Sequence, residues 1–342
     1  MQNKHLFSLL AFTMLASCTV GPDYERPQFY PDAEVAKNLK LEQAEASPVG
    51  QDWYKQFNDP ALNRLIERAW AASPNVRIAV HKLREARYGL LRSNVQSFPM
   101  LDINAGYNYD RSSRDIGFSI DRDYYQLGMD ASWELDIWGG NRRAAEASRA
   151  LFEAAGANLD NVRLVMAAEV ANNYISLRTA QEQLRVAREN LKLQQEIYQL
   201  VQQKYDVGLT DFIALNQAQY AVESTKTLIP QLESEIEAYK NAVAVLLGVL
   251  PDDLAGTLDN TADNLVRRRL SYNLKQLYRL RVDVIRNRPD VRLAEQNLIA
   301  QNAAVGEAVA NLYPDVSISG FVGWQSGKIA GLINGDHSTY SY

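Results

Sequence analysis

The chain is 342 residues long, ordinary in apolar content and mildly acidic at −5. No basic cluster of the extent that binds nucleic acid occurs, so nucleic acid is not expected as a partner. Beyond the N-terminus no run of about 18 apolar residues occurs, so a transmembrane helix is excluded and a closed β-barrel is the remaining way to span a bilayer.

Residues 1–17 read as a signal peptide, with Lys4 as the positive flank and Leu6 to Leu15 as the apolar region. The run Leu15-Ala16-Ser17-Cys18 resembles a bacterial lipobox, with cleavage before Cys18 and lipid on its sulfur. Cys18 is the only cysteine, so no intramolecular disulfide and no thiolate metal site is available. Thr19 follows it in place of an aspartate, which points to sorting to the outer membrane. Residues 18–58 form a lipidated leader, extended and rich in Pro, Asp, Glu and Ala.

Two helices are predicted over 59–98. Asn58-Asp59-Pro60 offers a capping residue followed by proline at the first helical position, and Leu62, Leu65, Ile66 and Ala69 share one face. Ser73-Pro74 repeats the start signal, and Pro99 ends the second helix. A strand pair is then predicted within 99–138. Leu101, Ile103, Ala105, Tyr107 and Tyr109 alternate with polar residues, as do Tyr125, Leu127, Met129, Ala131, Trp133, Leu135 and Ile137. Period-two alternation over about ten residues is the signature of a barrel strand with one row toward lipid and one toward the lumen. A soluble hairpin resting one face on a core would show the same alternation. On the barrel reading Asp102, Asp110, Asp130, Glu134 and Asp136 face the lumen, Tyr107, Tyr109, Tyr125, Trp133 and Trp138 are candidates for the aromatic girdles, and residues 111–123 suit an extracellular loop.

Residues 139–250 read as a long helical hairpin. Leu177, Leu184, Leu191, Tyr198 and Tyr205 recur every seventh residue, with Ala180, Ala187, Gln194 and Val201 between them. The returning arm alternates threes and fours through Val222, Thr225, Ile229, Leu232, Ile236, Tyr239, Val243, Leu246 and Leu250. Apolar residues every 3.5 positions form the seam of a left-handed coiled coil. Arms of about 65 residues would reach on the order of 100 Å. The turn is Val207-Gly208-Leu209-Thr210-Asp211, with Gly208 able to take a left-handed conformation and Thr210 or Asp211 able to cap the second arm. Pro230 should bend that arm. Residues 251–287 are a linker that carries the basic run Arg267-Arg268-Arg269 and a helical segment at 271–287.

The chain then starts again. Pro289-Asp290-Val291-Arg292-Leu293-Ala294 matches Pro74-Asn75-Val76-Arg77-Ile78-Ala79, and one constant offset aligns Leu298 with Leu83, Pro314 with Pro99, Ile318 with Ile103 and Trp324 with Tyr109. A second-repeat helix over 288–313 and a strand within 314–342 follow, with Phe321 intruding on the polar row. The same offset pairs Tyr340 with Tyr125, so a fourth strand should begin where the chain reaches Tyr342.

Several motifs carry a family resemblance. They are Cys18-Thr19-Val20-Gly21-Pro22-Asp23-Tyr24, the segment from Asp52 to Leu65, Tyr205-Asp206-Val207-Gly208-Leu209-Thr210-Asp211 through Gln219, and Arg288-Pro289-Asp290-Val291-Arg292-Leu293-Ala294-Glu295. Together they resemble the TolC-like outer-membrane efflux proteins, in the NodT-type lipoprotein branch that serves resistance–nodulation–division pumps. The resemblance implies a fold that is mostly α with transmembrane β: a coiled-coil hairpin plus barrel strands in a duplicated helix–strand–strand–helix unit. It further implies a homotrimer that shares one barrel and meets a periplasmic adaptor through the tip at Val207–Asp211. An inner-membrane pump supplies the energy, and the channel is passive. In this family a fourth strand and a second hairpin would lie beyond Tyr342, and three strands per copy would not close a barrel.

No catalytic constellation is visible. His5, His81 and His337 are scattered, and no nucleophile motif, phosphate-binding glycine loop or metal-ligand set occurs, so neither an enzyme nor a cofactor is expected. The alternative is a periplasmic coiled-coil adaptor or a structural lipoprotein. Either could carry a lipobox and a hairpin, but neither needs the duplicated amphipathic strands.

Overall fold

The computed structural model describes residues 19–27, 52–111, 115, 121–259, 287–333 and 335–342. The signal peptide, Cys18, most of the leader, most of the 111–123 loop, Arg267–Arg269 and nearly all of the 271–287 segment lie outside the described residues. In chain order, a 3₁₀ turn at Trp53–Phe57 precedes helices α1 (Pro60–Ala72) and α2 (Pro74–Val95) and strands β1 (Met100–Arg111) and β2 (Asp121–Glu134). Helices α3 (Gly140–Asp206) and α4 (Phe212–Leu247) follow, then a 3₁₀ turn at Pro251–Leu254 that runs into the one-turn α5 (Ala255–Leu258). Helix α6 (Pro289–Ala310) and strands β3 (Ser317–Ser326) and β4 (Ser338–Ser341) complete the order. Among the described residues no single helix is long and apolar enough to cross a membrane.

The contacts divide the chain into two compact units, one of Met1–Phe29, Lys82–Gly156 and Arg292–Tyr342, the other of Tyr30–His81 and Ala157–Val291. The second unit holds a continuous apolar core. Leu62, Leu65, Ile66 and Ala69 of α1 pack with Met166, Val170, Tyr174 and Leu177 of α3 and with Val243, Ala244 and Leu247 of α4. The entry to α1 shows why it starts where it does. The Asp59 carboxylate accepts from the Ala61 and Leu62 N–H groups at 2.8 and 3.2 Å, and Pro60 occupies the position whose N–H would otherwise go unpaired. The second Asp59 oxygen accepts from the Tyr174 hydroxyl at 2.9 Å, so one buried acid both caps α1 and ties it to α3. Burial pushes the Tyr174 phenol up to about 12, which keeps its proton in place as the donor.

Along the hairpin the seam follows the heptad. Leu177, Ala180, Leu184 and Ala187 are buried on α3, and Val222, Ile236 and Val243 on α4. Arg188 and Glu233 pair across the arms at 2.7 Å. Helix α4 runs through Pro230 as one continuous helix. Leu250 corrects the pattern: it is 72% exposed, because Gly248 turns left-handed (φ 66) and ends the helix two residues earlier. There the Gly248 N–H bonds the Val245 carbonyl and the Val249 N–H bonds the Ala244 carbonyl, the paired closure of a glycine-terminated helix.

The first unit is built on a four-stranded antiparallel sheet in the order β1-β2-β3-β4. The fourth strand is present as the short β4, with Tyr340 opposite Val322.

Candidate functional site

Register sorts the sheet into two faces. Asp102 lies opposite Asp130, and Asp130 opposite Phe321, so these three side chains share a face with Asn104, Asn108 and Gln126. The other face carries Leu101, Ile103, Tyr107 and Tyr109 beside Tyr125, Leu127, Met129 and Trp133, and then Ile318, Val322 and Trp324. Many of these large apolar side chains are open to solvent in the single chain, Ile103 by 80% and Tyr340 by 75%. A contiguous apolar sheet face of this kind has to be covered by another surface or by lipid.

The polar face brings together four of the five carboxylates that the alternation assigns to it. Asp102, Asp110, Asp130 and Glu134 project to one side, and Asp110 sits opposite Arg122, the cation of that row. Asp102 and Asp130, directly opposite one another, repel. The Asn104 side-chain amide donates to Asp130 and offsets part of that cost. Asp136 is a correction. Strand β2 ends at Glu134, and the Asp136 carboxylate turns back to accept from the Asn141 and Arg142 N–H groups and the Arg142 Nε, each at 3.1 Å. It caps α3, where a negative charge is favoured by the helix dipole, and does not join the row.

Phe321 also has a place on this face. Its ring lies where a Cβ on Gly128 would stand, and Cζ comes within 2.7 Å of a Cβ on Gly323. Two glycines on neighbouring strands thus make a bed for one aromatic ring. The strand alternation marked Phe321 as an intruder and gave no sign of its seat.

At the hairpin tip Gly208 adopts φ +76. Its N–H donates to the Tyr205 carbonyl at 2.9 Å, and the Leu209 N–H donates to that of Lys204 at 2.8 Å. Asp211, not Thr210, caps α4, accepting from the Ala214 N–H at 2.8 Å. The cap and the glycine together fix a short turn that thrusts apolar side chains outward. Val207, Leu209, Phe212 and Ile213 are all at least 61% exposed. No His/Cys/Asp/Glu group able to hold a metal occurs among the described residues.

A family model described as outer membrane efflux protein matches residues 65–249. The chain belongs to that family. It is 28% identical over 346 residues to the probable outer membrane lipoprotein SilC of Salmonella typhimurium, covering 98% of this chain and 72% of the relative. It is 27% identical over 351 residues to the probable efflux pump outer membrane protein TtgC of Pseudomonas putida, covering 99% and 70%. The solved outer-membrane channel OprN is similar at a TM-score of 0.78 and 32% identity, over 95% of this chain and 72% of that one. As an outer membrane efflux protein the chain resides in the outer membrane and serves as the channel component of efflux. The family is one of outer-membrane efflux channels, and the fold that this chain shares with OprN combines long helices with a β-sheet.

Proposed function

We propose that the protein is the passive exit duct of a tripartite efflux system, in which three copies share one barrel. The two-faced sheet carries this reading. Within the described sheet β1 and β4 each have a single neighbour, and open strand edges cost several kcal/mol per unsatisfied group in hydrocarbon. Pairing with further strands from other copies removes that cost, places the apolar face toward lipid and encloses the polar face. Cys18 carries the lipid, in keeping with the word lipoprotein in the description of SilC. The energy comes from an inner-membrane pump of the resistance–nodulation–division type, reached through a periplasmic adaptor at the Val207–Asp211 tip. The name of TtgC, which places it in an efflux pump, supports that assignment.

The enclosed face makes the pore cation-preferring, since rings of carboxylates select by charge. A carboxylate about 4 Å from a cation is worth ~1 kcal/mol even in water, about a fivefold preference. Neutralising Asp102, Asp130 and Glu134 together should therefore lower the cation-over-anion permeability ratio several-fold, read as a shift of the reversal potential in planar bilayers toward zero. An unmoved potential would place these carboxylates away from the ion path.

The tip is tested separately. Gly208→Val forces a branched side chain into left-handed backbone at about 1–2 kcal/mol. Efflux and adaptor cross-linking should fall while the amount of protein in the outer membrane stays the same. Unchanged efflux would remove the tip from the function.

A further inference from the structure

Thr19–Arg26, the residues just after Cys18, run along α3 and α6 and are gripped by side chains from both. The Val20 N–H donates to the Trp138 carbonyl at 3.1 Å. Arg143 of α3 donates through Nε to the Val20 carbonyl at 3.2 Å and through Nη2 to the Gly21 carbonyl at 3.3 Å and the Asp23 carboxylate at 2.7 Å. Its Nη1 holds Glu146 at 2.8 Å, and its side chain is 4% exposed. From α6, Asn302 donates to the Pro22 carbonyl at 3.0 Å, and Glu295 takes Arg26 on both oxygens at 2.5 and 3.1 Å. Gly21, at φ +90, lies so close to Gly306 that a Cβ on it would overlap the Gly306 Cα. A Cβ on Gly306 would in turn stand 2.8 Å from Arg143 Nε. One strap thus bonds α3, the helix leaving the first strand pair, and α6, the helix entering the second.

We propose that the groove lined by Arg143, Glu146, Glu295, Asn302 and Gly306 is a receptor for the chain's own Thr19–Arg26 strap. The docked strap staples the two repeats at their shared β2–β3 seam and fixes where the N-terminal lipid enters the membrane. The Arg143 guanidinium supports this, because three of its four hydrogen bonds given above go to the strap and its side chain is only 4% exposed with the strap in place. Without it Arg143 would keep Glu146 and lose two carbonyls and a carboxylate, exchanging fixed partners for water. The duplication supports it as well. The constant offset between repeats sets Ala303, Gly306 and Ala310 against Tyr88, Leu91 and Val95. The first set is buried against its neighbours, while Tyr88, Leu91 and Val95 stand 70%, 51% and 64% exposed. Leu91 at the place of Gly306 denies a second strap the backbone approach that Gly21 makes, so each chain has one seat. Thr19 abuts Gly139 at the head of α3, next in sequence to Trp138, whose ring stacks on that of Tyr313 with centroids 4.5 Å apart. The placement of the lipid rests on the reading of Cys18 given above; the docking does not.

Amide hydrogen exchange on the intact membrane-inserted protein, read by peptide mass spectrometry, tests the seat. In the peptide that carries the strap the Val20 amide, which donates to the Trp138 carbonyl, should be protected, and Gly306→Leu should speed its exchange roughly tenfold or more, with faster exchange over residues 140–146. Arg143→Met, which keeps the stem and removes the donors, should do the same. Exchange in α4 should not change in either variant, which shows that the rest of the fold survives. A strap that stays protected in both variants overturns the receptor. Cys18→Ser should leave the strap protected while abolishing palmitate incorporation. If that variant frees the strap as fully as Gly306→Leu does, the lipid and not the groove holds it, and the proposal falls. Failure of the wild type to incorporate palmitate would defeat the lipidation reading alone, since exchange decides the groove.

Discussion

Arg178→Ala is expected to cost about 2–4 kcal/mol, through carbonyls left without a donor, and to unfold the helical unit first. The side chain is 2% exposed, and Nη1 donates to the Leu258 carbonyl at 3.0 Å and to the Gln181 side-chain oxygen at 2.8 Å. Nη2 reaches the Thr257 carbonyl at 3.2 Å. These are the last carbonyls of α5, a helix of one turn that holds Leu258 in the core and has few bonds of its own. The guanidinium also lies 4.9 Å from the centre of the Tyr174 ring, so the loss spreads toward the Tyr174–Asp59 bond that ties α1 to α3. Urea unfolding followed by the fluorescence of Trp53 and Trp70 measures the change. Arg178→Met restores the packing but not the donors, and should recover only the smaller share. A loss below about 1 kcal/mol for the alanine variant would mean that water, with the Gln181 amide that already donates to the Leu258 carbonyl at 2.8 Å, satisfies those carbonyls without the guanidinium.

Gly323→Ala is expected to open the β2–β3 seam. A methyl group there would stand 2.5 Å from the Leu127 carbonyl oxygen and 2.8 Å from the Gly128 Cα, both backbone atoms of the neighbouring strand. Gly128→Ala meets chiefly the Phe321 ring, with the Val322 oxygen at 3.3 Å. Overpacking of this kind costs about 1–3 kcal/mol when side chains can adjust, and more when backbone must move. The two variants therefore differ in how they are rescued. Adding Phe321→Ala should restore most of the stability of Gly128→Ala and little of that of Gly323→Ala, read as resistance of the folded sheet to urea in detergent. Equal rescue of both would show that the strands spread freely.

Features written in short stretches of sequence were legible. The alternation of β1 and β2, the Asp59-Pro60 start and the glycine stop at Gly208 each depend on neighbours within a turn or two. What escaped depends on distant partners or on where an element stops. The Leu135-Asp136-Ile137 alternation continues β2 on paper, yet the chain has already left the strand, and an acid ahead of a helix finds N–H groups to accept from. Leu250 keeps heptad spacing, but Gly248 has ended the helix before the spacing is used. Arg143 sits in an alanine-rich helical stretch with nothing nearby in sequence to mark it. Its partners, Val20 to Asp23, are far away in the chain, and the short signal that could have flagged the pairing is the glycine at 21 opposite the glycine at 306. Phe321 looked misplaced for the same reason, since its bed of Gly128 lies on another strand.

The polar side of the sheet has one further property. Apart from Phe321 and its glycines, residues such as Asn108, Ser132, Ser319 and Thr339 stand on a surface that contributes little to the packing, and exchanges at such positions usually shift stability by no more than about 0.5 kcal/mol. Mutation can therefore rewrite that side almost one residue at a time, whereas changes on the apolar side and in the glycine bed meet lost burial or overpacking. Lineages that inherit this scaffold are free to drift in what they tolerate passing along it, long before any change reaches the helices.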